Sequence, residues 1–222
     1  MCIRDRLYYN RGIEYDEKRD YDRAIADYNE VIRLDPKDAK AYNSRGIASR
    51  AKGDLDRAIA DYNEAIRLDP NAGSYKNRGV ANLYAGSLSK ALADLNQASE
   101  LKPKDAYTAL WLDVVNKRSN LPSHLPQVIA QLDMTRWPAP VIRLFLGQMT
   151  PDVVLAAADD PNAMTKQRRV CEASFFSGEL TLMQGTKENA ARLFRLAAAD
   201  CPKTLIVWSA ANAELKALSS SP

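Results

Sequence analysis

Three segments of this chain repeat one another at a spacing of 33 to 34 residues, and that repetition limits the fold more than any other property. The first half of each unit reads Tyr8-Tyr9-Asn10-Arg11-Gly12, Tyr42-Asn43-Ser44-Arg45-Gly46 and Tyr75-Lys76-Asn77-Arg78-Gly79. The second halves carry Ala24, Ala58 and Ala91, then Tyr28, Tyr62 and Leu95, and close at Pro36, Pro70 and Pro103. Apolar residues recur at three- and four-residue steps within each half, the period of a helix with one buried face. Gly53-Asp54 and Gly86-Ser87 supply inner turns, and the prolines stop the second helices. Each unit is therefore a pair of antiparallel helices. One such pair cannot bury its own apolar face, so neighbours must stack into an all-α solenoid.

The order of aromatic, Gly, Ala, aromatic and Pro resembles the tetratricopeptide-repeat (TPR) pattern. The expected organisation is three TPR repeats over 1–104 (about 5–38, 39–71 and 72–104), then an irregular helical segment over 105–170. A divergent TPR hairpin with a capping helix follows at 171–218, and 219–222 forms a disordered tail. Within the irregular segment, Ala106–Arg118 reads as a helix, with shorter candidates at Pro126–Leu132, Ala139–Gly147 and Pro151–Ala158. The late hairpin rests on Gly178, Ala190, Phe194 and Pro202, because Gly178 and Ala190 stand as far apart as Gly12 and Ala24. Arg11, Arg45 and Arg78 recur in register with Asp27, Asp61 and Asp94. Matched recurrence favours one structural ion pair per repeat over an arginine ladder for anionic ligands.

The helix order of the C-terminal half is similar to that of the bacterial TPR lipoprotein NlpI family. Leu110-Trp111-Leu112 follows the third repeat, Phe145-Leu146-Gly147 precedes a short helix, and Phe175-Phe176 precede Gly178. This resemblance implies an envelope adaptor facing the periplasm, bringing proteases together with peptidoglycan hydrolases; a cytoplasmic TPR scaffold is the alternative. The family's lipid-bearing cysteine motif is missing. Met1-Cys2-Ile3-Arg4-Asp5-Arg6 has no apolar signal region. It reads as the edge of a truncated product whose membrane tether would lie upstream, and Cys2 is not assigned as a lipid acceptor. An uncapped first repeat leaves an apolar edge, which suggests a homodimer.

Cys171 and Cys201 flank the late hairpin, at the opening of its first helix and after its second. Two readings stand side by side: a disulfide that closes the hairpin, suited to an oxidising compartment, or two unrelated thiols. A Cα separation well beyond ~7 Å would exclude the bond. Catalysis finds no candidate. His124 is the single histidine and reads as a solvated residue in a proline-flanked loop, while Asp16-Glu17 reads as a helix end and Asp159-Asp160 as a loop. No cofactor or metal is expected. With 31 Lys and Arg against 28 Asp and Glu, the net charge of +3 and its mixed pattern give no basic stripe for nucleic acid. An RNA-binding helical repeat is accordingly the weaker rival.

In a TPR superhelix the first helices line the concave groove. By spacing, the groove positions are Tyr9, Ile13, Asn43, Ile47, Lys76, Asn77, Val80 and Tyr84. Amides, aromatics and aliphatics of this kind suit an extended peptide or a helix of a partner protein. TPR domains that clamp a C-terminal carboxylate use lysine, asparagine and arginine at positions occupied here by Tyr9, Ile13, Ser44, Gly73 and Asn77. A clamp of that type is not expected.

Overall fold

Helix-forming periodicity becomes hairpins because each helix has a defined start and stop. The computed structural model describes residues 3–203 and 205–220, which hold thirteen α-helices and no strand. None of these helices is long and apolar enough to cross a membrane. Two compact units divide at Leu101 and Lys102.

The N-terminal unit comprises α1 (Ile3–Glu17), α2 (Tyr21–Leu34), α3 (Ala39–Lys52), α4 (Leu55–Leu68), α5 (Ala72–Tyr84) and α6 (Leu88–Leu101). Side chains of Asp20, Asp38, Asp54 and Asn71 accept from backbone N–H groups in the first turns of α2, α3, α4 and α5. These caps satisfy donors that a helix start leaves without a partner. The inner turns need a left-handed residue. Gly53 (φ 92°) and Gly86 (φ 77°) supply it in repeats two and three, whereas repeat one uses Arg19 (φ 66°). That third turn lacks the glycine signal yet forms the same bend.

Paired helices meet at a point where one of them has no side chain. A Cβ added to Gly12 would lie 2.7 Å from Cε1 of Tyr28, and one on Gly46 the same distance from Tyr62. Across from them Ala24, Ala58 and Ala91 are fully buried, as are Tyr62 and Leu95. Consecutive pairs then stack, with α2 against α3 and α4 against α5.

The C-terminal unit begins with α7 (Ala106–Arg118). It continues through α8 (Leu125–Val128), a 3₁₀ turn at Ile129–Gln131, α9 (Ala139–Phe145) and α10 (Pro151–Ala157), and ends in α11 (Ala163–Met183), α12 (Lys187–Asp200) and α13 (Ile206–Ser220). The helix expected over Pro126–Leu132 is thus one α-turn running into a 3₁₀ turn. The late hairpin uses the same device as the first three, since a Cβ on Gly178 would sit 2.7 Å from Phe194. Trp111 is fully buried, 5.3 Å from Phe175 and 5.5 Å from Phe176, so α7 packs on α11 through aromatic rings. Arg118 bridges Glu179 at 2.6 Å and Glu214, tying α7 to α11 and α13.

Two boundaries depart from the sequence reading. The first helix of the late hairpin starts at Ala163, so Cys171 lies inside it rather than opening it. Asn162 caps this earlier start by accepting from the Thr165 N–H, and no Gly or Pro interrupts the run before Cys171. At the other end α13 runs through Ser220, two residues into the segment expected as tail; residues 221–222 lie outside the described residues, as does Cys2.

Gly46→Ala should lower stability by about 1–3 kcal/mol, because the buried Tyr62 ring has nowhere to move. Urea denaturation followed by circular dichroism measures this, and an unchanged midpoint would show that the ring adapts.

Candidate functional site

The first helices of successive repeats lie side by side, and hydrogen bonds join them directly. The Tyr9 hydroxyl is 3.0 Å from the Ser44 hydroxyl, linking α1 to α3. Asn77 Nδ2 donates to Asn43 Oδ1 at 3.1 Å, and the Ser74 hydroxyl stands 3.5 Å from the same oxygen, linking α5 to α3. Tyr9, Asn43 and Asn77 are among the positions expected to face a groove, while Ser44 and Ser74 are partners that the groove list did not include. Tyr9 is half-buried and its ring packs 5.8 Å from that of Tyr28. Ile13 is 39% exposed, the most open aliphatic of the set. Ile47 is half-buried against the cluster of Ala58, Tyr62 and Ala81. Lys76 and Tyr84 are partly exposed. Val80 departs from expectation: at 1% exposure it belongs to the core and cannot touch a ligand.

The arginines have a separate role. Arg11, Arg45 and Arg78 each place Nε and Nη2 on the carboxylate of Asp27, Asp61 and Asp94, at 2.5–2.9 Å. Such two-pronged pairing orients the fork as well as neutralising it. Each guanidinium also lies over a tyrosine ring of its own helix, at 5.2–5.5 Å from Tyr8, Tyr42 and Tyr75. Sequence reasoning missed the third partner. Arg45 Nη1 donates to Asn29 at 2.7 Å and Arg78 Nη1 to Asn63 at 2.8 Å, so these two arginines also hold the preceding repeat. The signal was present, because Asn29 and Asn63 recur two residues after Asp27 and Asp61.

Several acidic residues also have structural partners. Asp16 is more than a helix end. Tyr28 donates its hydroxyl to Asp16 Oδ2 at 2.8 Å, while Oδ1 is buried without a partner. Burial pushes the Asp16 carboxyl up to about 6, against the lowering effect of the Tyr28 hydrogen bond. Asp159 pairs with Lys166 and Asp160 with Arg169. His124 corrects its reading as a solvated loop residue: it is half-buried and its Nε2 is enclosed. The fully buried Asp113 accepts from the His124 backbone N–H at 2.9 Å and from the Ser123 hydroxyl, so it anchors the loop. Cys171 and Cys201 form a disulfide with a Cα separation of 5.2 Å.

The family profile described as Tetratricopeptide repeat matches residues 9–73. Repeats one and two are tetratricopeptide repeats. No curated protein matches the chain. Solved structures show the same TPR fold at low identity. PilW, a type IV pilus biogenesis factor, is 15% identical, with 99% of this chain and 100% of PilW covered at a TM-score of 0.56. YrrB, a TPR protein with an unusual peptide-binding site, is 18% identical over 92% of this chain and 90% of its own, at 0.50. The first TPR of Spaghetti (RPAP3), bound to an HSP90 peptide, is 23% identical over 53% of this chain and 94% of its own, at 0.52.

The raised Asp16 value fixes the sign of a pH effect. Its proton is bound more tightly in the folded than in the unfolded chain, so the associated stability is complete below about pH 4 and is lost as pH rises through about 6. Asp16→Asn should therefore remove a fall of about 1–2 kcal/mol between pH 4 and pH 7, after discounting for solvent screening. Thermal unfolding across that range checks it; parallel curves for the two proteins would contradict the assignment.

Proposed function

We propose that this chain is a protein-interaction adaptor of the bacterial cell envelope, binding an extended peptide or a helix of a partner protein along the first helices of its N-terminal unit. The observation that carries this reading is the amide- and hydroxyl-bridged face formed by Tyr9, Ser44, Asn43 and Asn77, flanked by the exposed Ile13 and by Lys76. Such a face offers alternating donors, acceptors and apolar surface to a polypeptide backbone. The peptide-bound RPAP3 repeat and the peptide-binding site of YrrB support protein partners for TPR hairpins of this kind. The C-terminal helix order, similar to that of NlpI-like lipoproteins, suggests proteases and peptidoglycan hydrolases as the partners. The Cys171–Cys201 bond supports an oxidising compartment such as the periplasm.

The positions of a C-terminal carboxylate clamp hold Tyr9, Ile13, Ser44, Gly73 and Asn77, only one of which offers an amide there. Recognition along this face would accordingly depend on backbone and side-chain amide bonds rather than on a terminal charge.

A photo-crosslinking residue placed at Ile13 should capture the partner in cells, while the same residue at Glu64 on α4 should not. Replacing both Asn43 and Asn77 by alanine should weaken the captured complex about 10-fold, the loss expected for one or two buried hydrogen bonds. Equal capture from both positions would refute the groove reading. Location has its own readout. Alkylation of the endogenous protein in rapidly quenched cells should find Cys171 and Cys201 protected until reduction, and free thiols at both positions would place the chain in the cytoplasm.

A further inference from the structure

The C-terminal unit contains a cleft of about 310 Å³ lined by Thr135, Arg136, Trp137, Pro140, Arg143 and Arg169. Its three guanidiniums come from three parts of the chain: the segment before α9, the last turn of α9, and α11. Two of them are matched by carboxylates. Arg136 pairs with Asp133, which also accepts from the Thr135 hydroxyl and N–H, and Arg169 Nη1 lies 2.9 Å from Asp160. Arg143 differs. Its Nη2 donates to the Met134 carbonyl at 3.1 Å, and among the described residues no carboxylate pairs with it. Three positive charges against two negative ones leave a single unit charge in a half-buried place, where a third like charge is unfavourable unless an anion joins it.

The cleft walls are fixed before any ligand arrives. The Trp137 indole N–H donates to Glu172 at 2.6 Å, and the Arg169 guanidinium lies 5.8 Å from the centre of the Trp137 ring. Glu172 is 2% exposed and also accepts from the Tyr107 hydroxyl at 2.8 Å and from Arg168 Nε at 3.0 Å. Its charge is used inside the unit and does not offset Arg143. A cleft held this way loses little conformational freedom on binding.

We propose that this cleft binds one carboxylate of a protein partner, from an acidic side chain or a chain terminus, with Arg143 as the principal donor and Arg136 and Arg169 beside it. The charge count selects the ligand. A carboxylate brings one negative charge and two acceptor oxygens, matching one uncompensated guanidinium fork, whereas a phosphate dianion would overshoot it. Side-chain and terminal carboxylates share this chemistry, and the experiment separates them. The inference rests on the reading of the chain as an adaptor for proteins, but uses a surface independent of the first-helix face.

The test titrates the full chain at low salt and follows the Trp137 indole N–H resonance by NMR. The probes are acetyl-Ala-Ala-Glu-Ala-Ala-amide, its Gln counterpart, acetyl-Ala-Ala-Ala with a free C-terminal carboxylate, and inorganic phosphate. The Glu peptide or the free-acid peptide should shift the resonance saturably, and the better of the two identifies the source of the carboxylate. The Gln peptide should not shift it. Arg143→Gln should weaken binding at least ~10-fold and Arg143→Lys less, since lysine keeps the charge but not the fork. Arg136→Gln, at a site 80% exposed, tests the cleft without touching the core and should weaken binding ~2–5-fold. Replacing Asn43 and Asn77 should leave this titration unchanged, so failure of the first-helix reading would not be mistaken for failure here. Equal shifts from the Gln and Glu peptides, phosphate binding with both carboxylate peptides silent, or full binding by Arg143→Gln would each overturn the proposal.

Discussion

Everything in the N-terminal unit depends on a contact made possible by a missing side chain. At Gly12 and Gly46 the backbone of one helix lies against a tyrosine ring of its partner, closer than any Cβ would allow. That approach brings the helices near enough for the ring to fill the space between them, which is why Tyr28 and Tyr62 are almost fully buried. The consequences spread outward from the ring. Tyr28 packs on Tyr9, and Tyr9 in turn reaches Ser44 of the next repeat. The position of a residue on the candidate binding face is therefore set by a glycine that never touches that face.

The arginine–aspartate pairs act at a second level, on register. Arg45 is 17% exposed and Asp61 5%, so the pair is largely withdrawn from water and its net contribution to stability is modest. Removing one member would leave a buried charge, which is strongly unfavourable, and this asymmetry makes the pair a check on correct pairing of helices. The fork is also engaged at every nitrogen: Nε and Nη2 hold the aspartate, and Nη1 holds the asparagine of the preceding repeat. Each of its three nitrogens thus already carries a structural hydrogen bond. Arg11, with no earlier repeat among the described residues to supply that asparagine, is 53% exposed where Arg45 and Arg78 are 17% and 22%.

The repeated part of the fold was legible because repetition converts one ambiguous pattern into three concordant ones. Gly12, Gly46 and Gly79 stated the helix contact, and Arg with Asp in register stated the ion pair. Position along a helix was harder to read than pattern. Val80 sits in the same column as Ile13 and Ile47, yet it is buried, because exposure of that column changes from repeat to repeat. In the irregular segment α9 and α10 begin at the expected Ala139 and Pro151, whereas the helix expected over Pro126–Leu132 is only the four-residue α8 and a 3₁₀ turn, too short to carry a periodicity that could be measured. Cys171 and Cys201 could be paired in outline from the hairpin, while the true start of α11 depended on a cap at Asn162 that sequence spacing did not single out.

A residue that recurs in every repeat must suit the same surroundings each time, so its role is explained by a contact that every copy makes. Residues without a counterpart escape that constraint. Asp16 illustrates this: the equivalent positions in the next repeats are Arg50 and Leu83, both buried, and only Asp16 has a carboxyl held near neutral pH. Arg143 is the corresponding case in the C-terminal unit. It lies outside any repeat, and neither of the carboxylates that serve its neighbours is paired with it. Repetition in this chain builds a regular support, and the chemistry available to a partner lies at the places where the period is broken or its polar groups face outward.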